Sequence, residues 1–123
     1  MSRIAIVDDS RLARMFAAGA LRAQAHEVVE VEPSSLFAVL KVLRDDPVDL
    51  LVMDFLMPDC PGESLVRACR EDPALQDLAI LLLSAHRDDA ALLRMKQHGI
   101  SGFLLKPLDP AVLVARVEEA LAG

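Results

Sequence analysis

The sequence predicts an α/β fold: a doubly wound, five-stranded parallel sheet with five helices on its two faces. Short apolar runs alternate along the whole chain with stretches of helical periodicity, five of each, which is the pattern of successive βα units. Most of the runs are continuously apolar, as expected of strands that are buried on both faces. Polar residues follow most of them, and right-handed crossovers would bring these strand ends to one edge of the sheet.

The composition fits one domain, residues 1–123, with an aliphatic core, because 54% of the residues are hydrophobic and only 3% are aromatic. A net charge of −6 argues against direct nucleic-acid binding. No apolar run reaches the length of a membrane span, and acids follow the first run too closely for a signal peptide. Cys60 and Cys69 have neither metal nor disulfide spacing, so we expect a cytoplasmic protein away from the membrane.

The first strand and helix are predicted from a short apolar run and a cap. The strand covers residues 3–7, and Ser10 caps a helix that runs to about Ala25. No glycine ends this helix, so Ala25 or His26 must make the turn. The helix is expected to bury an apolar stripe made of Leu12, Met15, Phe16 and Gly19.

Later elements follow from similar signals. Residues 27–32 alternate acids with valines, which favours an edge strand. A second helix begins after residues 33–35 and stops at 45–47, and a central buried strand over 50–53 ends at Asp54. The remaining predicted elements are a helix over residues 63–70, a strand over 80–83, a helix capped by Asp88 or Asp89 and ended at Gly99, a strand over 102–105, and a helix opened by Asp109 and Pro110.

Five polar residues at the ends of these strands should meet at one edge of the sheet: Asp8, Asp9, Asp54, Ser84 and Lys106. Carboxylates about 4 Å apart repel by on the order of 4 kcal/mol at an effective dielectric near 20, so a cation is expected among them. Mg²⁺, with Mn²⁺ as an alternative, suits such ligands. With Lys106 and the Ser84 hydroxyl it would form a receptor for a phosphoryl group, and Asp54 would be the nucleophile.

A purely structural explanation treats each of these residues separately. Asp9 or Ser10 would cap the first helix, and Asp54 would be a loop acid. Lys106 would pair with an acid, and Ser84 would have no role. This explanation accounts for each residue alone but not for their convergence on one edge, so we favour the phosphoryl site.

Four short motifs follow the predicted strands: Asp8-Asp9, Asp54 with Met57-Pro58 and Gly62, Ser84-Ala85, and Lys106-Pro107. In this order they resemble the motifs of the response-regulator receiver domain, the CheY-like phosphoacceptor of two-component signalling. The resemblance covers essentially the whole chain. It implies a flavodoxin-like sheet with the strand order 2-1-3-4-5.

The resemblance implies that Asp54 receives a phosphoryl group from a phosphohistidine on a sensor histidine kinase or a phosphotransfer protein. It also implies an Mg²⁺ site at which Asp54 and Asp9 are direct ligands and Asp8 acts through water. The backbone carbonyl of Leu56 would be the third protein ligand.

The same resemblance assigns the phosphoryl oxygens to Ser84 and Lys106. Phe103 would be the switch aromatic, turning inward when Ser84 moves to the phosphoryl group, while the small side chain of Ala85 leaves that group room to enter. The resemblance also implies that the Lys106-Pro107 peptide bond is cis, a form that X-Pro bonds adopt at low cost.

Leu56 and His86 stand at the two positions that often set the dephosphorylation rate in this family. Leu56 has no polar group with which to orient a water, which predicts a long-lived phosphorylated form. A homodimer through the face of helix 4, strand 5 and helix 5 is a further expectation, and the downstream effector is left open.

Two other functions compete with the signalling switch. A metal-dependent phosphatase of the haloacid-dehalogenase type usually has a second acid two residues after its nucleophile, where this chain has Leu56. A flavodoxin-like electron carrier would need a phosphate-binding loop after the first strand, where Asp8 and Asp9 would repel a phosphate. Turnover of a phosphomonoester would favour the first alternative, and a yellow colour the second.

Overall fold

The computed structural model describes residues 1–123 and contains five strands and five helices in strict alternation. The strands are β1 (Arg3–Val7), β2 (Glu27–Val31), β3 (Leu50–Asp54), β4 (Ala79–Ser84) and β5 (Gly102–Leu105). The helices are α1 (Arg11–Arg22), α2 (Leu36–Asp45), α3 (Gly62–Glu71), α4 (Asp89–Gln97) and α5 (Pro110–Ala122). None of these helices combines the length and the apolar character needed to cross a bilayer.

All five strands are parallel and lie in the order β2-β1-β3-β4-β5, which confirms the predicted fold class and strand order. The order in which successive strands are added to the sheet reverses between β1 and β3, and open parallel sheets bind ligands at the carboxyl ends of the strands at such a point. Val7 pairs with Met53, which places Asp8 level with Asp54. The register therefore brings the first two acidic strand ends together.

The strand β3 is the centre of the core, and all five of its residues are buried. Leu51 and Met53 pack in the cluster on one face of the sheet, with side chains of α2 and α3. Leu50 and Val52 pack in the cluster on the other face, with α1 and α5. A strand covered on both faces has no room for a polar alternation, which explains its continuous apolar run.

The prediction that α1 buries a stripe made of Leu12, Met15, Phe16 and Gly19 is wrong. Leu12, Met15 and Phe16 are 78%, 51% and 47% exposed, and a methyl group added to Gly19 would contact nothing within 4 Å. The buried residues of this helix are instead Ala17, Ala18 and Leu21. Alanines allow α1 to lie close to the sheet and to α5, and Leu12, Met15 and Phe16 face solvent.

The helix ends follow the predicted caps, with one shift of boundary. The helix α1 ends at Arg22 rather than near Ala25, and Ala25 makes the turn with a φ of 65°. Gly99, with a φ of 73°, ends the segment after α4. Side-chain caps are provided by Ser10, Ser35, Asp88 and Asp109, each of which accepts a hydrogen bond from the first turn of its helix.

Polar contacts also hold the edge of the sheet where the strands begin. The Arg3 guanidinium lies 2.8 Å from Glu27 and also pairs with Asp46. His26 is buried, accepts a hydrogen bond from the Ser2 N–H at 3.3 Å and lies 2.7 Å from Glu118 of α5. These contacts connect β1, β2 and α5 at the edge opposite the acidic strand ends.

Candidate functional site

Three carboxylates converge where β1 and β3 end. One oxygen from each of Asp8, Asp9 and Asp54 lies within 4.8 Å of the others. Asp8 and Asp54 are buried, whereas Asp9 is exposed at the rim. The convergence predicted for these residues is therefore present, with two acids fixed inside the edge of the sheet and one open to solvent.

Lys106 is the cation that faces these acids. Its Nζ lies 2.8 Å from Oδ2 of Asp8 and 3.4 Å from Oδ2 of Asp54. Its own backbone N–H donates to the Ser84 carbonyl at 2.8 Å, which ties the end of β5 to the end of β4. The Lys106-Pro107 bond is cis, as predicted.

Asp8 is held at three points. Its Oδ1 accepts from the Ser10 N–H at 2.9 Å, its Oδ2 accepts from Lys106, and its carbonyl accepts from Nη1 of Arg14 at 2.6 Å. Sequence reasoning missed Arg14, because a helical arginine five residues beyond Asp9 carries no signal until its side chain is seen to fold back. These bonds fix the loop that presents Asp9.

The charges of the site shift two pKa values. Burial raises the pKa of the Asp54 carboxyl; the Lys106 ammonium opposes this rise and the Asp8 charge adds to it, leaving the pKa above its usual range. Burial lowers the pKa of Lys106, but its hydrogen bond to Asp8 and the charge of Asp54 outweigh burial and raise it. Lys106 therefore stays charged, and it ion-pairs with two of the three carboxylates, Asp8 and Asp54.

The donor atoms suit a hard divalent cation. Three carboxylates lie together and only one ammonium pairs with them, through Asp8 and Asp54, which leaves a local excess of negative charge; all of the carboxylate donor atoms are oxygens. The Leu56 carbonyl, two residues beyond Asp54, accepts no hydrogen bond from the chain and is free to act as a further ligand. The residues present therefore fit Mg²⁺ or Mn²⁺.

Ser84 reaches the same edge but is engaged in its own turn. Its hydroxyl donates to the His86 carbonyl at 2.7 Å and accepts from the His86 N–H at 3.2 Å. No hydrogen bond joins it to Lys106 or Asp54 through its side chain. To bind a phosphoryl oxygen, the hydroxyl must leave this turn, which the sequence could not reveal.

Phe103 lines both a small void and a larger groove. The void, of about 10 Å³, is lined by Ser84, His86 and Phe103 among others. The groove, of about 510 Å³, lies between α4 and β5 and includes Leu92, Leu93 and Phe103. The void has room for about one water molecule, so the ring can enter it only if the Ser84–His86 turn moves.

The two residues expected to set dephosphorylation lie at the open side of the site. Leu56 is 55% exposed, and His86 is also exposed. The His86 imidazole makes no hydrogen bond to another group of the chain; only its backbone is engaged, with Ser84. Neither side chain is therefore fixed over Asp54 by a contact within the protein.

Comparison with known proteins decides the family. The model of the response regulator receiver domain matches residues 4–118, a span that contains every residue of the acidic site. The chain belongs to the receiver-domain family. Receiver domains are the signalling phosphoacceptors of two-component systems, which favours this role over the phosphatase and the electron carrier.

Relatives of this receiver domain include proteins that are much longer. The phosphate regulon transcriptional regulatory protein PhoB of Pseudomonas aeruginosa is 30% identical over 118 residues, which are 96% of this chain and 51% of PhoB. The sensor kinase/phosphatase CqsS of Vibrio cholerae is 31% identical over 116 residues, 94% of this chain and 17% of CqsS. The chemotaxis protein CheY4 of Vibrio cholerae shares the fold, with a TM-score of 0.88 over 98% of both chains at 24% identity.

Proposed function

We propose that this receiver domain accepts a phosphoryl group on Asp54 from a phosphohistidine of a sensor histidine kinase or phosphotransfer protein, with Mg²⁺ or Mn²⁺ as cofactor. The observation that supports this is the position of Asp54, whose carboxylate lies at the end of the central strand, 3.4 Å from Lys106 and beside Asp8 and Asp9. A carboxylate placed opposite a fixed cation can receive a phosphoryl group between them.

The chain's own residues account for most of the reaction. An Asp54 oxygen attacks the phosphorus, the P–N bond of the donor breaks, and its electron pair leaves with the imidazole. The product is an acyl phosphate on Asp54. Lys106 moves from the acids to a phosphoryl oxygen and neutralises part of its charge, and the Ser84 hydroxyl binds another oxygen.

The metal would be held by Asp9, Asp54 and the Leu56 carbonyl, with Asp8 acting through water. When bound, it neutralises charge that develops on the phosphoryl oxygens. The contacts to Ser10 and Arg14 would keep the Asp8–Asp9 loop in place for it.

The switch that we propose begins at Ser84. When its hydroxyl turns to the phosphoryl group, the two hydrogen bonds with His86 are lost, and the void beside Phe103 enlarges. The Phe103 ring then moves inward and deepens the groove between α4 and β5. A downstream effector, or a second copy through α4, β5 and α5, would bind the altered surface.

The phosphodonor would dock beside the site, on an exposed apolar surface of α1. A groove of about 410 Å³ is lined by Leu12, Phe16 and Pro107, and it reaches Ser10 and Lys106 at the acidic edge. We call Leu12, Phe16 and Pro107 the α1 patch. It offers an amphipathic helix of the donor an anchor that places its phosphohistidine over Asp54.

Both cysteines are free and buried, which supports a reducing, cytoplasmic setting.

A small phosphodonor such as acetyl phosphate, supplied with Mg²⁺, should add one phosphoryl group to the wild-type protein, measured by intact mass. Asp54→Asn should abolish the addition, because the amide is not a nucleophile. Asp59→Asn is the matched control, since Asp59 is an exposed acid in the same loop. Undiminished labelling of Asp54→Asn would show that Asp54 is not the acceptor.

A further inference from the structure

The helix α4 is fixed to the rest of the molecule by little apolar burial. Only Ala91 and Met95 of its nine residues are buried. The small void beside Phe103 lies against the first turn of α4, lined there by Ala91 and Leu92. The position of this helix therefore depends strongly on polar contacts with its neighbours.

One of these contacts is a two-point ion pair between α4 and α3. The Nε of Arg94 lies 2.8 Å from Oε2 of Glu63, and its Nη2 lies 3.0 Å from Oε1. The hydrogen bond to Arg94 holds the pKa of Glu63 below its usual range. Although both side chains reach solvent, the fork geometry fixes direction as well as distance.

A second set of contacts holds the far end of α4. The Arg70 guanidinium donates to the carbonyls of His98, at 2.5 Å, and Gly99, at 3.2 Å, just beyond the helix. It also donates to the Leu78 carbonyl at 2.8 Å, before β4. Arg70, near the end of α3, thus ties the carboxyl end of α4 to α3 and to the segment before β4, whereas Arg94 links the body of α4 to the start of α3.

A backbone hydrogen bond connects the segment that contains Glu63 to the acidic site. It follows Gly62, whose N–H donates to the Phe55 carbonyl at 3.0 Å. The approach is so close that a Cβ on Gly62 would lie 2.5 Å from that oxygen. Because Phe55 is the neighbour of Asp54, this contact is a route by which a displacement at Asp54 would reach the start of α3 and the Glu63 carboxylate.

We infer that the Glu63–Arg94 pair is a latch that holds α4 in the arrangement of the unphosphorylated protein and weakens when Asp54 carries a phosphoryl group. The inference rests on the proposed function and adds to it a regulator of the same site. The two effects are linked: the factor by which the ion pair favours the unmodified arrangement is the factor by which it lowers the affinity for a phosphoryl group.

The test is a titration of the Mg²⁺-loaded protein with beryllofluoride, a phosphoryl analogue. Glu63→Gln and Arg94→Gln should each tighten its binding about two- to fivefold, the range that a surface ion pair can supply. The double variant should gain no more than either single one, and the swapped pair Glu63→Arg/Arg94→Glu should return towards wild type. Lys96→Gln removes a positive charge from the same helix without breaking an ion pair and should leave the affinity unchanged.

Unchanged or weaker binding in both single variants, or additive gains in the double variant, would overturn the latch. A wild-type protein that takes up no beryllofluoride would contradict the proposed function instead. The hold of the Glu63–Arg94 pair on α4 can be tested separately, without any ligand. In hydrogen exchange, Arg94→Gln should speed exchange of the α4 amides but not of the α2 amides, and Lys96→Gln should change neither. Equal α4 exchange in wild type and Arg94→Gln would rule the latch out.

Discussion

At the residue scale, the site contains one residue whose lack of polarity has a kinetic consequence. Hydrolysis of an acyl phosphate needs a water in line with the phosphorus, and a positioned side chain accelerates such steps. Leu56 lies at the open side of Asp54, is 55% exposed and offers no hydrogen bond. We therefore expect the phosphorylated form to be long-lived.

Leu56→Asn should speed phosphate loss by about tenfold, equivalent to about 1.4 kcal/mol of barrier, because an amide can orient the water. The measurement is the decay of phosphorylated protein in Mg²⁺ buffer. Leu56→Met keeps the size without the polarity and serves as control. His86→Ala should have little effect; a sharp slowing would identify His86 as the residue that orients water and would contradict the long lifetime.

A second residue-scale prediction concerns Cys69, which is wholly buried in α3. Burial raises the pKa of its thiol from 9.0 to about 11. Between these values the unfolded chain loses the proton and the folded chain keeps it, so stability should fall as pH rises, by at most about 1.4 kcal/mol per pH unit.

The measurement for this prediction is urea unfolding between pH 8 and 11, expressed as the difference between wild type and Cys69→Ala. The variant loses packing at every pH but lacks the thiol, so the gap between the two proteins should narrow as pH rises. A constant gap would show that the Cys69 thiol does not titrate differently in the two states.

At the scale of single elements, two glycines in helices should respond oppositely to the same change. Gly62→Ala places a Cβ 2.5 Å from the Phe55 carbonyl oxygen and 2.8 Å from its Cα, and should cost about 1–3 kcal/mol of unfolding free energy. Gly19→Ala, in α1, meets nothing within 4 Å and should stabilise by about 0.4–1 kcal/mol. Denaturant unfolding measures both, and equal effects would contradict the close approach at Gly62.

The exposed apolar side chains of α1, which include Leu12 and Phe16, lead to a prediction about docking of the phosphodonor. Phe16→Ser should slow phosphotransfer from a protein phosphodonor severalfold by weakening docking on the α1 patch. Phosphorylation by acetyl phosphate should be unaffected, since that donor needs no docking surface. Phe37→Ser, which alters an exposed aromatic on α2, is the control. Equal rates with the protein donor would exclude the patch.

The elements also show what could be predicted from the sequence. The strands were found because a strand buried on both faces needs a continuous apolar run, as in β3. The buried face of α1 was missed because periodicity marks two faces of a helix without saying which one meets the sheet. Ala17 and Ala18 are buried because their small side chains allow the helix to pack closely on the sheet, and this packing is a tertiary effect.

Within the site, the sequence predicts contacts that the strand topology determines, but not contacts that depend on side-chain conformation. Parallel strands with a fixed register must bring Asp8 beside Asp54. In contrast, the bond from Arg14 to the Asp8 carbonyl and the engagement of Ser84 with His86 depend on rotamers and loop shape. Residue spacing contains no record of either.

At the scale of the whole molecule, the carboxylate cluster should make stability depend on divalent cations. If Mg²⁺ binds the folded protein at the proposed site and not the unfolded chain, an excess of 100 times its Kd should add about 2.7 kcal/mol of unfolding free energy. Asp9→Ala should lose most of this gain, yet be more stable than wild type without metal because repulsion is relieved. Thermal unfolding with and without Mg²⁺ measures both, with Asp77→Ala as a distant acidic control. An equal Mg²⁺ response in Asp9→Ala would contradict the site.

The contacts of His26 have a practical consequence for handling the protein. This one side chain touches the Ser2 amide and Glu118 of the final helix, so residue 2 and the last turns of α5 lie side by side where the strands begin. The acidic residues lie where the strands finish, at the other end of the sheet. A surface tether or a fluorescent label attached beside Ser2 or on the last turns of α5 therefore leaves the acidic end of the sheet facing solution, which suits immobilised binding assays.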